Sequence, residues 1–237
     1  MTKQKTLGIV GGVGATATAD IYLNIFREYS RLKLNHRPHI LISSLPGTTA
    51  LENKLANGIN EYTPLVKREC IRLQNAGADS IIIPCNSIHS KINEIKKSVT
   101  IPVLSIIDET VSFVKSKGYK TIGLLGSGTT ISKELYHKPM RESSINVVAP
   151  TPKNQERINE VILSLYKDFY DKEKELKILY EITNELKEQG AECIILACTD
   201  LQMLKPKRND DIEIIDTMEL LGLAAAQHLC TNEENFK

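Results

Sequence analysis

Short runs of apolar residues alternate along the chain with longer stretches in which apolar side chains recur every three or four positions. The first pattern is that of a buried β-strand, the second that of a helix with one face on a core. The runs predict eight strands, at 6–10, 40–43, 80–83, 103–106, 121–125, 146–148, 193–196 and 212–215. Among the helical stretches, Ala17, Ile21, Ile25 and Tyr29 share one face, and Ile158, Val161, Ile162, Leu165 and Phe169 another. Leu176, Leu179, Ile182 and Leu186 make a third. Charged residues fill the opposite faces and are read as solvated surface rather than binding patches. Strands alternating with helices in this way predict an α/β fold with parallel sheets.

The pattern is written twice. Thr6-Leu-Gly-Ile-Val-Gly-Gly resembles Thr121-Ile-Gly-Leu-Leu-Gly-Ser, 115 positions later. Gly77-Ala-Asp-Ser-Ile-Ile-Ile-Pro-Cys-Asn-Ser resembles Gly190-Ala-Glu-Cys-Ile-Ile-Leu-Ala-Cys-Thr-Asp, 113 later. Ile106-Ile-Asp-Glu-Thr resembles Ile214-Ile-Asp-Thr-Met, 108 later. One such match would be ordinary, because Gly-Ala-acid before an apolar run is a common end-of-helix phrase. Three in the same order at nearly constant spacing predict two similar units of roughly 100 residues each, a usual domain size.

Composition narrows the classes of function. Lys+Arg 30 against Asp+Glu 29 leaves a formal charge of +1 over 237 residues. No global field therefore draws nucleic acid or an acidic membrane. Aromatic residues make up 5% and Trp is absent, which argues against a base-stacking surface. The longest apolar runs, Ile81 to Ile83 and Ile194 to Ala197, are far too short to span a bilayer. The opening MTKQKTLGIV lacks the apolar stretch of a secretory signal, so a cytoplasmic setting is expected. Five cysteines, none in CxxC spacing, point to neither a disulfide scaffold nor a zinc site. Cys70, Cys193 and Cys230 read as small buried hydrophobes.

Cys85 and Cys198 read differently, because the repeat puts both at the C-terminal end of a buried strand. In open α/β sheets the ligand crevice lies outside these ends. If two such units face each other about a pseudo-two-fold axis, one crevice receives a thiol from each side. Asn86-Ser87 and Thr199-Asp200 follow the thiols, in turns whose backbone N–H groups can hold an anion and favour thiolate. Paired thiols suit inversion of a carbon centre: one sulfur removes a proton while the other returns one from the opposite face. A cysteine hydrolase needs one thiol with a base and an orienting group instead. His89 is read as a cap or packing group of its turn.

At these residues the chain resembles the aspartate/glutamate racemase family, cofactor-independent amino-acid racemases, and most of all its aspartate branch. A GGMGPxAT-like loop is present as Gly11-Gly-Val-Gly-Ala-Thr-Ala-Thr18, a PCNTAH-like motif as Pro84-Cys-Asn-Ser-Ile-His89, and a GCTE-like motif as Ala197-Cys-Thr-Asp200. The resemblance runs over essentially the whole length. It implies two Rossmann-like domains, 1–102 with a returning helix at 216–237, and 103–215, with the active site in the cleft between them. It implies a homodimer acting on a small amino acid without PLP, metal or nicotinamide. By matched position, Cys85 and Cys198 become the acid/base pair. Gly14, Asn86, Ser87, Thr130 and Thr199 line the substrate site, and Lys167 matches a family lysine near the distal carboxylate.

One departure bears on substrate. A PDRT-like segment of the family reads here Pro46-Gly-Thr-Thr49, with Thr48 in place of Arg, which removes a bidentate carboxylate partner. Arg37 and Lys54 are near in sequence, and nothing in it shows either taking over. Ala15 for Pro, Ser87 for Thr and Asp200 for Glu are milder changes. Competing readings are a hydantoin- or maleate-type isomerase, an NAD-dependent oxidoreductase, and a non-catalytic carboxylate-binding protein. Gly12-Val-Gly14-Ala-Thr-Ala17 does fit a dinucleotide fingerprint, but the second strand ends Ile40-Leu-Ile-Ser-Ser44 without the acid that would bind a ribose.

Overall fold

The computed structural model describes residues 4–32, 37–46, 59–167, 169–205 and 212–230. The chain divides into two compact units, Met1–Glu109 with Met218–Lys237, and Thr110–Thr217.

In the first unit the chain runs β1 (Thr6–Gly11), α1 (Ala15–Arg31), β2 (His39–Ser44), α2 (Ile59–Asn75) and β3 (Ser80–Ile82). A 3-10 turn (Ser87–Lys91) and α3 (Ile92–Lys96) follow, and then α4 (Ile106–Lys117) crosses the boundary. The three strands are parallel in the order β2-β1-β3. Val10, Val66, Ile81, Ile83 and Ile88 form part of the core on one face, each fully buried. Each such side chain contributes about 1.5–3 kcal/mol.

The second unit contains β4 (Thr121–Gly126), α5 (Gly128–Ser132), α6 (His137–Glu142), β5 (Asn146–Val148), α7 (Pro152–Tyr166) and α8 (Lys172–Glu188). It continues with β6 (Cys193–Ala197), a 3-10 turn (Leu201–Leu204) and β7 (Glu213–Asp216). Its strands are also parallel, in the order β5-β4-β6-β7. The last helix, α9 (Thr217–Cys230), starts directly after β7 and packs in the first unit. There Gly222 comes so close to Asn24 that a Cβ would sit 2.9 Å from its amide, and Asn24 Nδ2 donates to Met218 O at 3.3 Å.

The duplication is physical as well as textual. Leu7 lies opposite Ser80 in the first sheet, and Ile122 opposite Cys193 in the second. Gly8 and Gly123 occupy the same place in the two sheets because a helix presses on each. An added Cβ would lie 3.2 Å from Leu73 Cβ in one and 3.2 Å from Leu186 Cβ in the other. Gly77 (φ 95°) and Gly190 (φ 93°) end α2 and α8 in the left-handed conformation that glycine adopts without strain. The acid two residues on then fastens the start of the first strand. Thr6 N–H donates to Asp79 Oδ2 at 2.7 Å, and Thr121 N–H to Glu192 Oε2 at 2.9 Å.

Two expectations are corrected. The run 103–106 is not a strand: Val103 makes a single parallel bridge to Ile81, and a helix begins at Ile106. Ser105 stops the strand by capping that helix, its Oγ accepting from Asp108 N–H at 3.2 Å, while Ile106 N–H donates to His89 Nε2 at 3.2 Å. The third repeat match is also displaced. Val103 faces Ile81, whereas Ile214 faces Ile194, so Val103 and Ile214 are the equivalent residues, 111 apart. Ile106 starts a helix where Ile214 is in a strand.

Candidate active site

The carboxyl ends of the parallel strands β1, β3, β4 and β6 carry the candidate residues of the two units. In the first, Pro84 offers no N–H to continue β3, and Cys85 N–H turns back to Ile83 O at 2.8 Å. Cys85 is 9% exposed, at the margin of the apolar cluster that includes Val13, Leu45 and Ile88. Asn86 is buried and opens the 3-10 turn, whose first residue, Ser87, is partly exposed.

His89 braces this turn. Its Nδ1 lies 2.8 Å from Cys85 O and its Nε2 accepts from Ile106 N–H, which defines the neutral tautomer with the proton on Nδ1. Burial pushes the imidazole down to about 4, against the opposing pull of the Cys85 carbonyl. Both nitrogens are committed to backbone, so the ring fixes the Cys85 main chain and is no base for its sulfur.

The glycine turn after β1 lies on the same edge. Gly14 (φ 88°) precedes α1, and Thr18 closes the loop, its Oγ1 accepting from Gly12 N–H at 3.0 Å and donating to Gly14 O at 2.9 Å. A Cβ at Gly12 would lie 2.6 Å from Leu45 N and O, so the glycine there serves the protein's own packing.

In the second unit Cys198 follows β6 and is partly buried against the apolar cluster of that unit. Thr199 is buried, and Asp200 opens the next 3-10 turn. Cys198 Sγ donates to Asp200 Oδ2 across 3.7 Å. Burial raises the Asp200 carboxyl to about 6, and the thiol hydrogen bond pulls the other way. The turn after β4 holds Thr130, fully buried, with its N–H on Ser127 Oγ at 3.3 Å and its hydroxyl 3.1 Å from the same atom. Gln155 Nε2 donates to Gly126 O and Gly128 N–H donates to Asn159 Oδ1, each at 2.9 Å.

The first unit thus gathers Gly14, Cys85, Asn86 and Ser87 on its strand-end edge, and the second gathers Thr130, Cys198 and Thr199. Lys167 caps the solvent-exposed C-terminus of α7. Thr48 and Lys54 lie outside the described residues, and Arg37 is exposed just before β2. Sequence reasoning missed the roles of Thr18, Gln155 and Asn159 in closing turns. Thr18 had a signal, as the last residue of the glycine-rich segment; Gln155 and Asn159 had only their polar spacing on α7. Among the described residues no three His, Cys, Asp or Glu side chains converge to hold a metal ion.

Residues 10–225 match the Asp/Glu/Hydantoin racemase family. The chain is similar to a broad specificity amino-acid racemase, RacX, of Bacillus subtilis (strain 168), at 25% identity over 220 residues, 91% of this chain and 94% of that one. An aspartate racemase homologue from Pyrococcus horikoshii OT3 superposes with a TM-score of 0.76 at 26% identity, covering 96% of this chain and 99% of the other. The Picrophilus torridus aspartate racemase gives 0.76 at 22% identity, over 95% and 94%, a likeness of fold.

Proposed function

The chain belongs to the Asp/Glu/Hydantoin racemase family, and from that membership we propose a cofactor-independent amino-acid racemase that works through Cys85 and Cys198. In this reading one thiolate breaks the Cα–H bond and becomes a thiol. The thiol on the opposite face gives its proton to Cα and becomes the thiolate, so protons balance and the centre is inverted. Asn86, Ser87 and Thr199, with the neighbouring backbone N–H groups, hold the α-carboxylate and stabilise charge developing next to it. Gly14 lets substrate approach the main chain, and Thr130 shapes the wall of the site. The observation that carries the proposal is that both thiols end the equivalent strand of two sheets with the same register.

Substrate choice follows from position 48. Thr48 supplies no guanidinium for a distal carboxylate, and the B. subtilis relative is named for broad specificity. We read the substrate as a small amino acid, with acidic ones accepted and not strongly preferred; Lys167 is the remaining candidate for a distal carboxylate. The same reading has a homodimer in the cytoplasm, which light scattering of the purified protein tests for assembly.

The test is proton exchange. A panel of L-amino acids, with a 5-substituted hydantoin included, is incubated in deuterium oxide and followed by chiral chromatography and mass. Wild type incorporates deuterium at Cα and forms the enantiomer without added PLP, metal or nicotinamide. Cys85→Ser and Cys198→Ser each lose inversion by about 10³-fold or more. Near-normal turnover in either variant ends the two-thiol account. Aspartate as the clear best substrate ends the reading of Thr48.

A further inference from the structure

The turns that follow β1 and β4 match in the repeat and are closed by different means. After β1 a single hydroxyl on the adjoining helix suffices: Thr18 Oγ1 accepts from Gly12 N–H and donates to Gly14 O, on either side of Val13. After β4 the residues on either side of Ser127 are held from a remote helix, α7. Gln155 Nε2 donates to Gly126 O at 2.9 Å, and Gly128 N–H donates to Asn159 Oδ1 at 2.9 Å. Gln155 Nε2 also donates to Asn159 Oδ1 at 3.0 Å, which joins the two side chains into one clamp. We propose that Gln155 is a positioning residue for substrate binding, acting through this turn on the wall that Thr130 gives the site. This deepens the racemase reading and rests on it.

The partners fix the orientation of both amides. Gly128 N–H needs an acceptor, so the Asn159 atom facing it is oxygen. The Gln155 atom between that oxygen and the Gly126 carbonyl is then nitrogen. The other Gln155 atom, Oε1, is buried with no hydrogen-bond partner among the described residues. An unpaired buried acceptor is unfavourable, so the amide is oriented by what its nitrogen holds.

The clamp supports a segment that is too short to support itself. The helix α5 has five residues, and an isolated helix needs about 12 or more. Its cap is Ser127, between the two clamped residues, and Ser127 Oγ accepts from Thr130 N–H and lies 3.1 Å from Thr130 Oγ1. Thr130 also packs on Gly126, where an added Cβ would lie 3.1 Å from Thr130 Cγ2. A shift of Gly126 or Ser127 therefore carries Thr130 with it. Displacing a wall weakens binding of substrate and transition state alike, which raises KM and leaves kcat nearly unchanged. Partial unfolding does the reverse: it lowers the active fraction and leaves KM alone.

The experiment separates donor from acceptor. Racemisation of the amino acid that wild type turns over best is measured at pH 8 in Gln155→Glu, Gln155→Met, Asn159→Asp and Asn159→Leu. Amide exchange across residues 126–131 of the intact, substrate-free proteins is followed by hydrogen–deuterium exchange mass spectrometry. Gln155→Glu sets a carboxylate against two acceptor oxygens, and Gln155→Met removes the donor. Both are expected to raise KM about tenfold with kcat held within about twofold, and to speed exchange in the turn about tenfold. Asn159→Asp keeps the acceptor and should keep the wild-type KM, whereas Asn159→Leu should behave like the Gln155 variants. KM unchanged in both Gln155 variants overturns the inference, and so does a fall in kcat alone. Wild type that exchanges no Cα proton on any amino acid overturns the racemase reading instead, so the two failures are distinct.

Discussion

The turns that leave β3 and β6 start from the same scaffold and finish with different chemistry. In the first, a buried imidazole grips the main chain on either side of the crossing, at Cys85 O and Ile106 N–H. In the second, a carboxyl grips the sulfur of Cys198. The backbone devices around them are shared: a strand glycine under a helix, a left-handed helix end, and an acid on the first N–H of the central strand. Repetition here extends to what places the thiols and stops at what touches them. A duplicated frame can set two sulfurs in equivalent positions, and the side chains added afterwards decide how alike they behave.

The harshest way to break the comparison is to remove one of the two thiols, as described above. Next in size is the helix–strand approach that both units use. Alanine at Gly123 would bring Cβ to 2.4 Å from Ile194 Cδ1 as well as 3.2 Å from Leu186 Cβ, whereas at Gly8 the nearest atoms are all at 3.2 Å. Overpacking of this kind costs about 1–3 kcal/mol. Urea titration should show Gly123→Ala as the less stable variant, and equal stability would mean the two helices press differently than their geometry implies.

The buried titrating groups sharpen the contrast because their signs oppose. Native His89 stays neutral down to about 4, and the unfolded imidazole binds a proton near 6.5. The unfolded chain therefore holds more protons in that window, and acidification through it costs roughly 3 kcal/mol of stability. Native Asp200 keeps its proton up to about 6, and the unfolded carboxyl releases it near 3.8. That contribution favours the native state below 3.8 and is lost as pH rises through 6. His89→Gln should flatten the loss of stability between pH 6.5 and 4, and Asp200→Asn should steepen it, in unfolding midpoints measured across the range. The smallest effect is expected at the strand starts. Asp79→Ala removes the acceptor for Thr6 N–H and should cost about 1 kcal/mol, seen as a Tm lower by a few degrees.

The sequence made the frame legible where its signals were local and repeated. The apolar runs at 121–125 and 193–196 sit within one residue of β4 and β6, because both are central strands buried on two faces. The run at 103–106 misled because Val, Leu and Ile there report burial, and burial is shared by a strand and by a helix start capped by Ser105. The candidate site was legible as thiols in motifs. The links that fix it were not, since His89 reaches Ile106 across 17 positions and Gln155 reaches Gly126 across 29. Asp200 looked like a minor shortening of a family Glu; its bearing on Cys198 is a matter of distance, which letters do not carry.

The placement of α9 has a consequence for how the protein is made. The helix that closes the first unit against Asn24 is encoded after the whole of the second. On the ribosome, the unit that starts to emerge before the other is therefore finished after it, with the face around Asn24 waiting until α9 arrives. A gene cut between the units would release the second as a continuous piece and leave the first without its closing helix.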